Sequence, residues 1–129
     1  MVHQITLPHS EITVSSLCFG ANVFGWSIHD QAEANRLLDE VLARGVNFFD
    51  SADMYVQWVE GNTGGESERA LGEWLRTSSV NRDDVVIATK VGKMTGRPGL
   101  SAENILAAAD ESLARLGIDT IDLYYAHRD

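Results

Sequence analysis

An α/β fold built on a parallel sheet is predicted by two observations. Short apolar runs at residues 17–20, 46–49, 84–89 and 121–126 alternate with amphipathic segments of helical period. The runs are near-continuous rather than alternating, as expected of parallel strands covered on both faces. A third observation bears on function. Titratable residues stand where three of the runs stop: Asp50 and Tyr55 after 46–49, Lys90 after 84–89 and His127 after 121–126. In barrels that alternate strands with helices, side chains at the carboxyl ends of several strands converge on one mouth, where the chemistry sits.

Each element has its own signal. Residues 5–7 and 12–14 flank Pro8-His9-Ser10, a turn-rich interval that predicts a hairpin. Residues 17–20 begin the regular pattern. Asp30 precedes a helix with Ala34, Leu37, Leu38, Val41 and Leu42 on one face; Glu33 completes a capping box and Gly45 stands just past the end. After the strand at 46–49, residues 56–65 form an irregular loop on the same side as the candidate site. Residues 66–77 carry Leu71, Trp74 and Leu75 at helical spacing. Beyond the strand at 84–89, Ser101 caps a third helix with Ile105, Ala108, Ala109, Ser112, Leu113 and Leu116 inward, ended by Gly117. The last strand is 121–126. The expected whole is one domain over residues 1–129: a hairpin, then four parallel strands adjacent in sequence order, with three intervening helices and right-handed connections.

Composition narrows the class. With 44% hydrophobic and 22% charged residues, the 129-residue chain is that of a globular domain. A net charge of −9 opposes nucleic acid and anionic membrane as partners. The nearest approach to a basic cluster, Lys90, Lys93 and Arg97, reads as a solvated loop. Cys18 is the only cysteine, which excludes an intrachain disulfide and cysteine-based zinc sites. Residues 1–9 lack a basic start and apolar run, and no stretch approaches the ~18 apolar residues of a membrane helix. The expectation is a cytoplasmic chain in a reducing compartment.

The four strand-end residues describe acid-assisted addition to a carbonyl. A phenol ionises near ~10, so to donate a proton near neutral pH Tyr55 needs a neighbour that favours the phenolate. The Lys90 ammonium supplies that charge, Asp50 keeps the lysine charged by pairing with it, and His127 donates a hydrogen bond to the substrate oxygen. Taken singly, Asp50 is an ordinary turn acid, Lys90 a surface lysine and His127 a satisfied histidine; their shared position at strand ends argues for one site. Gly61-Asn62-Thr63-Gly64-Gly65 invites a phosphate-cradle reading, but no Lys follows in order and Glu60, Glu66 and Glu68 would repel an anion, so it reads as a flexible loop. The glycines from Gly20 to Gly25 have the wrong spacing for a dinucleotide fingerprint. Lys90 as a Schiff-base nucleophile is the chemical runner-up, tested by borohydride trapping. Asp50, Asp53 and His127 lack a second histidine at ligand spacing, so no metal is expected.

These residues resemble the aldo-keto reductase family. Gly45-Val46-Asn47-Phe48-Phe49-Asp50-Ser51-Ala52-Asp53-Met54-Tyr55 is similar to its second strand and Asp-to-Tyr segment, and Gly65-Glu66-Ser67-Glu68 with Leu71-Gly72 to the helix that follows. Ala88-Thr89-Lys90 resembles the third strand end, and Asp122-Leu123-Tyr124 leading into His127-Arg128-Asp129 the fourth. The resemblance implies an N-terminal hairpin plus the first half of a (β/α)8 TIM barrel, and hydride transfer from NADPH to an aldehyde or ketone. It implies Tyr55 as proton donor, Lys90 as the group that assists it, Asp50 as the lysine's partner near the nicotinamide ribose, and His127 as the substrate-orienting donor. Trp26 and Trp58, in loops after the first and second strands, would wall the substrate pocket. The loop at 56–64 is longer than the family's shortest versions. A complete barrel takes ~250 residues, and the family's later strands hold the nicotinamide and adenosine phosphates. The expectation is therefore a chain that is inactive alone and self-associates through its open barrel edge. The alternative class is a non-catalytic, self-associating half-barrel fragment.

Overall fold

The computed structural model describes residues 1–129. Ser10 makes the first turn: its Oγ donates to Leu7 O and accepts from the Ile12 amide. Across that turn β1 (Gln4–Thr6) pairs antiparallel with β2 (Thr13–Ser15). Four further strands, β3 (Cys18–Gly20), β4 (Phe48–Asp50), β5 (Val86–Val91) and β6 (Leu123–Ala126), form one parallel sheet in the order β3-β4-β5-β6. The helices α1 (Gln31–Ala43), α2 (Glu66–Thr77) and α3 (Ala102–Leu116) fall one between each consecutive pair. This is the predicted order.

The later strands each begin two residues after the apolar runs do. Polar side chains add their own bonds at the residues ahead of them. Asn47 Oδ1 accepts from the Ser15 amide at 2.7 Å and its Nδ2 donates to Thr13 O, joining the hairpin to the sheet. Asp84 belongs to a 3₁₀ turn over Arg82–Asp84, which Asn81 caps. Asp122 Oδ2 accepts from the Ile87 amide at 2.8 Å and from Arg82 at 2.6 Å. Strands predicted at 46–49, 84–89 and 121–126 are thus Phe48–Asp50, Val86–Val91 and Leu123–Ala126.

Helix ends follow the capping residues with one correction. Asp30 accepts from the Glu33 amide and Ser101 from the Asn104 amide. No return bond from Glu33 is made, so only the forward half of the capping box forms. Gly117, at φ 64°, ends α3 in the left-handed conformation that a Cβ disfavours.

Phe49 and Ile87 point toward the helices and are fully buried with Leu38, Leu71, Trp74 and Leu116. The Phe49 and Trp74 rings lie 5.1 Å apart, and Trp74 Nε1 donates to Asp39 at 2.8 Å, so the indole is packed and satisfied. Helices α2 and α3 touch at Gly72, where a Cβ would lie 2.4 Å from Arg115 O. With the helix side filled, the alternate residues of each strand face the opposite side. Register sets Asp50 beside Ala88, and Lys90 beside Tyr125. Period two therefore puts Asp50, Lys90 and Tyr125 on the face away from the helices.

Candidate active site

Past Asp50 the chain keeps to β5 for three residues: the Ser51 amide donates to Ala88 O at 2.9 Å and the Asp53 amide to Lys90 O at 3.2 Å. A tight turn, with the Tyr55 amide donating to Ala52 O at 3.2 Å, then swings Tyr55 back over the sheet. Ser51 Oγ meets Ser67 Oγ at 2.9 Å, and Ser67 donates to Ala21 O at 2.7 Å, which anchors this turn to α2 and to the exit of β3.

All three protons of the Lys90 ammonium are used. Nζ donates to Asp50 Oδ2, Ser51 O and Tyr55 Oη, each at 2.7 Å. The Lys90 and Asp50 side chains are only 14% and 24% exposed, so the pair works in a medium drier than water. His127 follows β6, its amide held by Val91 O at 2.8 Å. Its ring stands edge-on to Tyr55, centroids 5.8 Å apart. Burial, then the Lys90 and Lys93 charges, push the imidazole below its ordinary value while Asp50 opposes them. The ring is neutral at neutral pH. Its Nδ1 is buried without a partner, which leaves Nε2 as the ring nitrogen able to meet a substrate.

Trp26 and Trp58 close one side. Their rings meet edge to face at 5.8 Å, and Trp58 lies 6.2 Å from Tyr55. Both are about half exposed, at 52% and 48%. The other side is a depression of about 400 Å³ lined by Cys18, Phe48, Asp50, Lys90, Tyr125, Ala126 and His127.

The predicted residues Asp50, Tyr55, Lys90, His127, Trp26 and Trp58 therefore come together. Sequence reasoning passed over Ser51, whose carbonyl takes the third lysine proton, and Cys18 and Tyr125, which face the same depression. Counting by two from Asp50 and Lys90 across the register would have found the last two.

The glycine-rich loop is not free. Glu66 Oε1 accepts from the Thr63 and Gly64 amides, both at 2.9 Å, filling the cradle with the chain's own carboxylate. Asn62 Nδ2 donates to Gly25 O at 3.0 Å and to Val56 O at 3.1 Å. Val56, directly after Tyr55, takes φ 63°, rare for a β-branched residue, while its side chain is fully buried. That strain costs about 1–3 kcal/mol and is held by this surrounding packing. In the supposed basic cluster, Lys90 is in the site and Arg97 pairs with Glu111. Glu68, counted among the acids that would repel an anion at the loop, is in the first turn of α2 and lies in the interior.

A lysine bonded to an acid and a tyrosine at the carboxyl ends of parallel strands defines a class that the comparisons identify. Residues 16–129 match the Aldo/keto reductase family, and the chain belongs to it. It is 38% identical over 124 residues to 6-dehydroglucose reductase of Novosphingobium aromaticivorans, covering 95% of this chain and 40% of that one. An uncharacterized 11.2 kDa protein of Pseudescherichia vulneris is 46% identical over 79 residues, covering 61% of this chain and 76% of its own. Among solved structures, an aldo-keto reductase from Bacillus halodurans in its holo form superimposes with a TM-score of 0.75 at 36% identity, over 96% of this chain and 39% of that one. The chain thus spans about two fifths of the reductases it matches. Hairpin and sheet correspond to part of the family's barrel. No helix is long and apolar enough to cross a membrane.

Proposed function

We propose that these residues form the proton-donating side of an oxidoreductase that reduces an aldehyde or ketone with NADPH, Tyr55 being the acid. One observation carries the reading: a single ammonium bonded at 2.7 Å to both Asp50 Oδ2 and Tyr55 Oη. When bound, the nicotinamide supplies hydride to the carbonyl carbon. We assign its reactive end to the depression beside Lys90, where Phe48 and Tyr125 would offer apolar surface and Asp50 an acceptor for a ribose hydroxyl. This chain's residues do the rest. Tyr55 passes its proton to the carbonyl oxygen as negative charge develops there, and Lys90 stabilises the phenolate left behind. Asp50 and Ser51 O hold the Lys90 ammonium in place. Neutral His127 donates from Nε2 to the same oxygen and aligns it. Trp26 and Trp58 give an apolar wall that limits water beside the phenol.

The Schiff-base alternative needs a lysine lone pair. With three bonds donated, Lys90 Nζ offers none, which favours the reductase reading. The test is aldehyde reduction with NADPH, and with NADH for comparison, by the protein that carries these residues. Tyr55→Phe is expected to lower turnover by about 10²–10⁴-fold with cofactor affinity retained. Unchanged turnover in that variant, or a borohydride-trapped adduct on Lys90, would overturn the reading.

A further inference from the structure

Trp26 and Trp58 come from different loops, one after β3 and one after β4, yet their half-exposed rings meet edge to face with centroids 5.8 Å apart. A single ring pair contributes too little to hold two surface loops together. The backbone of each loop is first closed on itself. In the first loop Val23 O accepts from the Trp26 amide at 3.2 Å and from the Ile28 amide at 3.0 Å, and the Gly25 amide donates to Ile28 O at 2.7 Å. In the second the Val59 amide donates to Val56 O at 3.1 Å, closing a turn that contains Trp58.

Asn62 joins the two turns. Its Nδ2 donates one proton to Gly25 O at 3.0 Å and the other to Val56 O at 3.1 Å. Both partners are carbonyl oxygens, so it is the nitrogen of the amide that faces them. Gly25 stands just before Trp26, and Val56 opens the turn around Trp58. Asn62 is itself fixed, its backbone amide donating to Val59 O at 3.0 Å. The loops also touch: at Gly25, with φ 87°, an added Cβ would stand 3.0 Å from Val56 Cγ2 and 3.1 Å from Glu66 Cβ. On its far side the second loop is pinned again, Gln57 Nε2 donating to Thr95 Oγ1 at 2.8 Å and Gln57 Oε1 accepting from the Thr95 amide at 3.2 Å. Trp58, 6.2 Å from the Tyr55 ring, lies in sequence between these two ties. Of the two, only the Asn62 tie reaches the turn of Trp26.

We propose that Asn62 is a positioning residue that sets specificity: its side-chain amide holds Trp26 and Trp58 as one wall beside Tyr55, and that wall selects substrates carrying a flat apolar group, aryl rather than short alkyl. A planar ring gains area and ring-to-ring contact against two fixed indoles, whereas a short chain buries little there. The specificity rests on the reading of Tyr55 as the acid given above; the tie itself is tested without turnover.

The test is proton NMR on the 129-residue chain, titrated with benzyl alcohol and, for comparison, with ethanol. In wild type, cross-peaks should join the Trp26 and Trp58 rings, and benzyl alcohol should shift both indole N–H signals at lower concentration than ethanol does. Asn62→Asp, alike in shape but without amide protons to donate, is expected to lose those cross-peaks while keeping the ones between Phe49 and Trp74 in the core, whose rings lie 5.1 Å apart. Its affinity for benzyl alcohol should fall by about two- to tenfold, with that for ethanol unchanged. Asn62→Ala should behave in the same way, which separates the lost donor from the added charge. Retained Trp26 to Trp58 cross-peaks in both variants, or an equal loss of affinity for the two alcohols, overturns the proposal. Loss of the Phe49 to Trp74 cross-peaks in both variants overturns it too, since Asn62 would then support the fold at large. Absence of carbonyl reduction with the expected NMR results would remove the reductase reading and leave the Asn62 tie standing.

Discussion

Asp50 and Lys90 sit on neighbouring strands of the same sheet face, one carboxylate oxygen 2.7 Å from the ammonium, and both are largely withdrawn from water. The pair is set by register, since Asp50 lies beside Ala88 and Lys90 stands two residues further along β5. A charged hydrogen bond of this kind contributes about 1.5–3 kcal/mol. If the proposed reductase reading holds, Asp50→Asn lowers kcat/KM for carbonyl reduction by about ten- to a hundredfold, through a lysine less able to stabilise the phenolate. Lys90→Arg should not rescue a Lys90→Met variant, because a planar fork does not address three acceptors spread around one nitrogen. Steady-state kinetics on the three variants checks both statements.

His127 gives a pH dependence whose sign is fixed by its environment. Its folded-state value lies below the ordinary 6.5, so the unfolded chain binds the proton first as pH falls. The stability it contributes is complete above 6.5 and is lost as pH drops through the folded value. Urea midpoints of His127→Gln should lack that loss, measured against wild type over the same range. Asp53 works in the opposite sense. With its folded value raised from 3.8 to about 6, its contribution is present below 3.8 and lost as pH rises toward 6, and Asp53→Asn should be more stable than wild type above that range.

Much of this was legible in the sequence because the signals were local. Ser101 and Gly117 bound α3, Asp30 starts α1, and apolar runs gave strand order. The four catalytic candidates were readable because strand ends converge in this kind of fold. Strand starts were not, since Asn47 and Asp122 look like any polar residues flanking a strand. Their bonds run to Ser15 and Arg82, partners 32 and 40 residues away in sequence. The same limit hid a polar cluster on the helix side of the sheet. Glu68 reads as a first-turn acid of α2, and only folding shows it buried among Thr89, Ser112 and Arg115. Asp53, one of several polar residues before Tyr55, gives no sign of pointing away from the site.

Glu68 and Arg115 make a buried pair at 2.7 Å, with side chains 0% and 13% exposed. Removing one partner leaves the other charge without compensation, at a cost of about 3–5 kcal/mol. Glu68→Leu should therefore destabilise strongly. The double variant with Arg115→Leu should recover part of the loss, because no charge is then stranded. Chemical denaturation of the two single variants and the double gives the coupling directly, and equal, additive losses would contradict the arrangement.

Gly72 tests the contact between α2 and α3, where two effects oppose. Alanine favours a helix over glycine by about 1 kcal/mol, so in an exposed helix Gly72→Ala would stabilise. Here the new Cβ would stand 2.4 Å from Arg115 O and 2.8 Å from Leu116 O, backbone atoms that cannot rotate away. The helices must part, and overpacking of this kind costs about 1–3 kcal/mol, so the net change should be destabilising. Parting them also pulls Arg115 from Glu68, which adds to the loss. Gly20→Ala is the control. Its Cβ would meet only Asn22 Oδ1, at an ordinary 3.6 Å. Thermal and urea unfolding should show a clear loss for Gly72→Ala and a change within about 0.5 kcal/mol for Gly20→Ala. A stabilised Gly72→Ala would mean that α2 and α3 do not approach as closely as described.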